Sequence, residues 1–442
     1  MNFKSITAML LTTLSASLSA QVVKVEVKQA NGQWSLYRNG EPYYVKGGGG
    51  QVHLDELVNI GGNSIRTWSL NNAEEFLDNA HKKGLTVMMG LWVQHERHGF
   101  DYDDTVAVRK QLDFFRKRIN QLKNHPALLM WGVGNEVDLF YTNTKVWNAV
   151  QDIAKMIHEE DPNHPTSTVT AGLDSMEVAL VMKNAPDIDI YCVNTYSDLD
   201  NAVKNIAKFG WTGPYLITEW GPNGHWEVNK TAWAAPIEQS SSEKAMSYKA
   251  RYASIEKASK TCLGSYVFLW GQKQETTSTW YGLFAKSGES SEVLDVLHSY
   301  WKKQKPENNC PTIGNFGIET DSSLSVGVYI SSGIRYKAKA DFMDADGDKL
   351  KVKWTVVKES TDIKAGGDAE NEPPHILGLV KKNKGNNVEF IAPSEEGAYR
   401  LFVKAYDKNG HYAYANIPFY VKNSGVEPIV KLRKKKLNFL YE

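Results

Sequence analysis

The sequence predicts an α/β chain: a (β/α)8 TIM barrel followed by a C-terminal all-β sandwich of the immunoglobulin-like kind. Three observations predict it. Short apolar runs without helical period recur eight times between residues 43 and 270, as expected of parallel strands covered on both faces. Polar-rich stretches separate them, with apolar residues three and four apart, such as Val106, Leu112, Phe115 and Ile119, or Val146, Val150, Ile153 and Ile157. After Pro306, Asn308, Asn309 and Pro311 that period stops, and alternation takes over in stretches such as Leu350-Lys-Val-Lys-Trp-Thr-Val-Val.

Taken in order, residues 1–20 read as a secretory leader: Lys4, an apolar stretch from Ile6 to Leu14, then Ser17-Leu18-Ser19-Ala20 before Gln21. Cleavage near Ala20 would make the mature protein secreted or periplasmic, and the absence of a nearby cysteine argues against a lipid anchor. Residues 21–305 form the predicted barrel domain. It opens on a hairpin, with Asn39-Gly40 as its turn, that feeds a first barrel strand at Tyr43-Tyr44-Val45-Lys46. The remaining strands are expected at 64–68, 85–93, 127–133, 166–170, 188–194, 215–218 and 265–270. Gly84, Asp161-Pro162 and His164-Pro165 punctuate the intervening helices. Gly47 to Gly50 lacks the Lys-Ser/Thr of a phosphate loop and reads as a close approach of backbones. Residues 306–425 are assigned to the sandwich and 426–442 to a basic tail.

Charge excludes some partner classes. With 51 basic and 51 acidic side chains the chain has no net field to draw in nucleic acid, and the run Lys431 to Lys436 reads as a solvated tail. No segment reaches the roughly 20 uninterrupted apolar residues that a membrane helix needs, and a monomer is expected. Cys192, Cys262 and Cys310 cannot all pair with one another. Cys192, within Ile188-Asp189-Ile190-Tyr191-Cys192-Val193, reads as a small apolar core residue, and a Cys262–Cys310 bridge stays open.

The informative residues sit at strand ends. Glu136 closes Leu-Leu-Met-Trp-Gly-Val-Gly-Asn-Glu after the fourth strand, and Glu219 closes Tyr-Leu-Ile-Thr-Glu at the seventh. In a (β/α)8 barrel the C-terminal rim is where chemistry is done. Two carboxyls there, one protonated and one ionised, suit cleavage of a glycosidic bond, at a separation of about 5 Å if configuration is retained.

These segments resemble the fourth-strand and seventh-strand motifs of the retaining glycoside hydrolases of clan A, over roughly residues 40–304. The resemblance implies that Glu136 is the general acid/base, Glu219 the nucleophile, and Asn135 the binder of the sugar 2-hydroxyl. It also implies that Arg66 at the second strand pairs with Glu219, that Tyr196 donates to Glu219, and that Trp270 ending the eighth strand is the platform under the sugar. His95, in the polar cluster Trp92 to Gly99, is expected to bind substrate, and Trp220, His225, Trp226 and Trp233 to line the cleft. His95, Glu96 and His98 lack the His-Glu-x-x-His spacing, so no metal and no cofactor are expected. The run Asp344-Ala-Asp-Gly-Asp348 reads as a hairpin turn rather than a calcium loop, since no glutamate closes a twelve-residue loop. Domain order and loop texture look most like glycoside hydrolase family 158, which implies endo-cleavage of β-1,3-glucan, with β-glucan polysaccharide or oligosaccharide as partner. A clan A enzyme acting on β-mannan or β-galactosides, or an idle barrel that only binds glycans, is the competing expectation.

Overall fold

A computed structural model describes residues 22–320 and 323–423. The expected leader and basic tail lie outside the described residues. Eight parallel strands close a barrel: Val45–Gly49, Ser64–Arg66, Thr86–Leu91, Leu128–Val133, Thr166–Ala171, Ile190–Asn194, Tyr215–Trp220 and Cys262–Val267. The eighth pairs with the first through Gly264 to Val45 and Val267 to Gly48. Nearly every strand residue is buried, because crossover helices cover the outer face while side chains fill the interior.

The expected first strand divides in two. Glu41–Tyr43 is the last strand of an antiparallel sheet with Val25–Ala30 and Gln33–Arg38, and only Val45 onward enters the barrel. Val25 and Leu36 of that sheet join Val45, Met130, Val169, Leu216 and Tyr266 in one apolar cluster. The sheet also bonds the segments that lead into strands, through Val25 N–H to Asn163 O and the Arg38 guanidinium to Pro126 O. It therefore plugs the N-terminal end and leaves the C-terminal rim as the open face. The glycine run has the steric cause read from the sequence: a Cβ on Gly47 would lie 2.2 Å from the Tyr266 ring, and one on Gly50 2.0 Å from the Trp270 carbonyl oxygen.

The C-terminal module has two five-stranded sheets. One runs in the order Ser323–Ser325, Thr312–Thr320, Arg335–Met343, Asn387–Ile391, Val380–Lys384; the other runs Val328–Ser331, Tyr412–Lys422, Gly397–Tyr406, Lys351–Lys358, His375–Ile376. Alternating residues such as Trp354, Val356, Leu401, Val403, Ile417 and Phe419 meet between the sheets, which makes an immunoglobulin-like sandwich.

The two modules share a buried polar seam. Lys244, in the helix Ser241–Lys257, pairs with Glu238 at 2.5 Å, and Glu238 also accepts from Thr277 and from Asn416 of the sandwich. From the sandwich, Arg400 donates to the Pro236 carbonyl at 2.7 Å, to Asn416 at 2.7 Å, and pairs with Glu359 at 2.6 Å. Trp233, expected in the cleft, packs at this seam against Tyr329 and Tyr420.

Cys192, Cys262 and Cys310 are all free and buried, so the open question of a Cys262–Cys310 bridge resolves to three separate thiols. The Asp344–Asp348 run forms a turn, with the Asp344 carboxylate accepting from the Asp346 and Asp348 amides. No helix among the described residues is long and apolar enough to cross a membrane.

Candidate active site

The open rim carries a cavity of about 240 Å³ lined by both Glu136 and Glu219. Glu219 lies inside the seventh strand and Glu136 three residues beyond the fourth. The chain reaches Glu136 through Gly134 at φ 79°, and Glu136 itself sits at φ 51°, the left-handed region. A Cβ on Gly134 would come to 3.0 Å from Val137, so the turn favours glycine there both for its φ and for space. Strain at a residue aimed into a cavity is the kind of backbone feature that clusters at functional sites.

The two carboxyls have contrasting surroundings. Three donors converge on Glu219: the Arg66 guanidinium at 3.0 Å and the Trp68 indole N–H at 2.8 Å reach Oε1, and the Tyr196 hydroxyl reaches Oε2 at 3.2 Å. Arg66 is 2% exposed and its remaining bonds go to the Thr218 carbonyl at 2.8 Å, the Asn135 side-chain oxygen at 2.5 Å and the Asn194 side-chain oxygen at 3.4 Å. Glu136 receives one donor, the Asn194 amide at 2.7 Å. Burial first, and the Glu219 charge second, push the Glu136 carboxyl up to about 8, against the pull of the Asn194 bond. One carboxyl is thus arranged to hold a proton and the other to accept hydrogen bonds.

Asn194 ties the two sides together. Its side-chain oxygen accepts from Thr218 Oγ1 at 2.9 Å, and its amide bonds both Glu136 and Asn135. With the Asn135 oxygen occupied by Arg66 and Asn194, its amide nitrogen is the group left to face the cavity.

Of the residues singled out in the sequence, Asn135, Glu136, Tyr196, Glu219 and Trp226 all line this cavity, and Arg66 stands behind Glu219. Five others do not line it: Trp233, which lies at the seam, His225, Trp270, Trp220 and His95. Trp270 is fully buried, its indole N–H bonded to the His53 carbonyl at 3.1 Å and its ring against Phe284. The aromatic that lines the cavity from this segment is Phe268, one residue past the eighth strand. Trp220 is fully buried as well, packed on Tyr248 and Tyr252 of the helix outside the barrel. Neighbouring residues on a strand point to opposite faces, so an inward Glu219 turns Trp220 outward. His95 is 1% exposed and bonds the Asn135 carbonyl at 2.7 Å through Nε2, which places it beneath the cavity, not in contact with substrate. Burial lowers its proton affinity, so it serves as a neutral donor that fixes the Asn135 backbone.

The other members of that polar cluster turn to separate partners, Glu96 to the Thr142 and Asn143 amides and His98 to Asp368. His225 packs edge-on against Trp226 and Trp280. Sequence reading missed Trp68, Trp92, Asn194 and Phe268. Trp68 carried a signal, because it lies two residues after Arg66 and so tends to share its face.

The comparisons agree with this barrel. The profile described as glycosyl hydrolases family 2, TIM barrel domain, matches residues 53–225, a stretch that contains both glutamates. The β-glucuronidase of Paenibacillus borealis is 29% identical over 226 residues, covering 41% of this chain and 36% of that protein. The human β-glucuronidase is 23% identical over 142 residues, 31% of this chain and 20% of its own length. The chain thus spans about a third or less of these relatives. Among solved structures, a β-D-glucuronidase of Dictyoglomus thermophilum superposes with TM-score 0.51 at 19% identity over 64% of this chain and 54% of that one. The β-glucuronidase of Ruminococcus gnavus gives 0.51 at 15% over 64% and 53%. These structures share the fold. The narrower resemblance to family 158 finds no support in these matches, which are to the family 2 barrel profile over residues 53–225 and to β-glucuronidases.

Proposed function

We propose that the chain is a retaining β-glycosidase that works by double displacement, with Glu219 as nucleophile and Glu136 as acid/base. The observation that carries this reading is the pairing, in one cavity, of a carboxyl pushed up to about 8 with a carboxylate held by three donors. In the first step Glu136 gives its proton to the glycosidic oxygen while a Glu219 oxygen attacks the anomeric carbon, and the bond to the leaving sugar breaks. The glycosyl group is then an ester of Glu219. Glu136, now ionised, takes a proton from a water molecule that attacks the same carbon and frees Glu219. Asn135 would hold the sugar 2-hydroxyl through its amide, while Arg66, Trp68 and Tyr196 keep the nucleophile aimed.

The substrate favoured by the lining is a neutral β-linked glucan. Trp68, Trp92, Tyr196, Trp226 and Phe268 offer aromatic faces for sugar C–H groups, as carbohydrate sites do. Lys273 is the lone cation among the described lining residues, and it is paired with Glu275 at 2.8 Å, which leaves no free positive charge for a uronate carboxylate. Trp68 and Trp92 also border an adjoining groove of about 950 Å³ that includes Phe114 and Arg118, enough room for further units of a chain and so for endo-cleavage. A β-glucuronide is the second reading, favoured by the names of the relatives.

Laminarin, lichenan, mannan, galactan and an aryl β-glucuronide assayed side by side would decide. The glucans should release reducing sugar fastest, and proton magnetic resonance should show the β-anomer first. An α-anomer as first product would overturn double displacement, and preferred turnover of the glucuronide would replace the glucan reading.

A further inference from the structure

The catalytic cavity is not built by the barrel alone. Gly366, Gly367 and Asp368, which belong to the sandwich, line it together with the two glutamates. They sit in the connection 359–374 between the sandwich strands Lys351–Lys358 and His375–Ile376.

This connection is anchored on opposite sides of the mouth. On one side Asp368 pairs with Arg97 at 2.9 Å and meets His98 at 3.1 Å, and Gly366 sits so close to Arg97 and Leu139 that a Cβ would lie 2.7 Å from each. Those partners follow the third and fourth strands. On the other side Lys273 donates to the Gly367 carbonyl at 2.9 Å, and the Glu370 carboxylate accepts the Thr276 amide at 2.6 Å. These follow the eighth strand, which is diametrically opposite the fourth in an eight-stranded ring. Gly366 and Gly367 both have left-handed φ, 62° and 71°, a conformation two successive glycines adopt without cost from a Cβ. The root of the strap is fixed as well, since Glu359 is paired with the buried Arg400 of the seam.

We infer that the strap 366–370 selects glycans by shape: it crosses above the two carboxylates, so a chain must lie lengthwise beneath it and a main-chain branch at the cleaved unit is refused. This rests on the cavity being the glycan site proposed above. The groove past Trp68 and Trp92 supplies the open approach, while Gly366 to Asp368 stand where a substituent directed out of the barrel would project. The device is legible only in the whole chain, because its anchors come from the barrel and its backbone from the sandwich.

The test uses the full chain with Arg97→Ala and Glu370→Ala, one variant releasing each side of the strap, and two probes of equal length, linear laminarihexaose and its counterpart with one glucose branch. The ratio of kcat/KM on the branched to that on the linear probe should rise about tenfold or more in each variant. An unchanged ratio, with turnover of the linear probe intact in the wild type, would overturn the strap reading alone. Should the wild type cleave neither probe, the glucan reading falls, and the same ratio is then read from dissociation constants by calorimetry, where a flat ratio or no binding overturns the strap reading too. Hydrogen exchange faster in 364–371 than elsewhere in the variants would show that release, and not unfolding, is the cause.

Discussion

Two buried carboxylate–cation pairs, Arg66 with Glu219 in the barrel and Lys244 with Glu238 at the seam between modules, have contrasting surroundings. Both cations are 2% exposed. Around the second pair every direction is closed. Lys244 Nζ meets Glu238, the Thr279 carbonyl at 2.6 Å and the Tyr414 hydroxyl at 3.3 Å, and Glu238 takes Thr277 and Asn416 besides. Around the first, three donors orient Glu219, yet the carboxylate still borders a cavity. The difference teaches that a buried ion pair by itself says little about function. A satisfied pair with no access is a joint between modules, and a satisfied pair on a cavity wall, facing a second carboxyl that holds its proton, is arranged for chemistry.

Breaking the first pair should abolish turnover. Glu219→Ala removes the proposed nucleophile, so kcat should fall by roughly four orders of magnitude or more. Glu136→Gln removes the acid and should cost about 10²–10⁴-fold on a substrate with a poor leaving group. The thermal midpoint of Glu136→Gln should stay near the parent, whereas Glu219→Ala, which leaves Arg66 buried without its carboxylate, should lower it. Near-normal rates in either would refute the roles assigned here. Added azide, which needs no base catalysis to attack a glycosyl ester, should restore part of the Glu136→Gln rate on an activated aryl glycoside.

Breaking the second pair should lower stability and leave turnover alone. Lys244→Ala leaves Glu238 buried beside Thr277 and Asn416 without its cation, a change that costs about 3–5 kcal/mol when a buried partner is lost. The thermal midpoint should drop, while the folded fraction keeps a normal pH profile and kcat. A variant as stable as the parent would show that the seam does not depend on this charge.

How far the sequence foretells this contrast depends on periodicity. The repeat of apolar runs gave eight strands, and counting them put Arg66, Glu136 and Glu219 at the same rim. The same counting could not carry past strand ends. Residues 268–270 lie just beyond the strand Cys262–Val267, where alternation lapses, so counting does not show that Phe268, and not Trp270, is the one that lines the cavity. Trp220 was recoverable, since its neighbour Glu219 points inward. Asp368 was not, because its place depends on how one module docks on another.

A smaller effect sharpens the account of Glu136. Its carboxyl is pushed up to about 8, chiefly by burial and then by the Glu219 charge. The acid works protonated, so kcat/KM should hold below that value and fall about tenfold per unit above it. If the charge on Glu219 contributes, then Glu219→Gln should move the Glu136 titration, followed by carboxyl carbon resonances, to lower pH. An alkaline limb that persists unchanged in Glu136→Gln would assign it to another group.

The smallest effect separates the two aromatic faces at the eighth and seventh strands. Phe268 lines the cavity beside Tyr196, Tyr281 and Trp68, whereas Trp220 is sealed against Tyr248 and Tyr252. An aromatic contact is worth about 0.5–1.5 kcal/mol beyond area, so Phe268→Ala should raise KM by about two- to tenfold with a lesser change in kcat. Trp220→Phe keeps an apolar ring in the same outer layer and should move the thermal midpoint alone. If Trp220→Phe changed KM while Phe268→Ala did not, the sugar would have to lie against the other face of these strands, and the inward and outward sides of the rim would need to be exchanged.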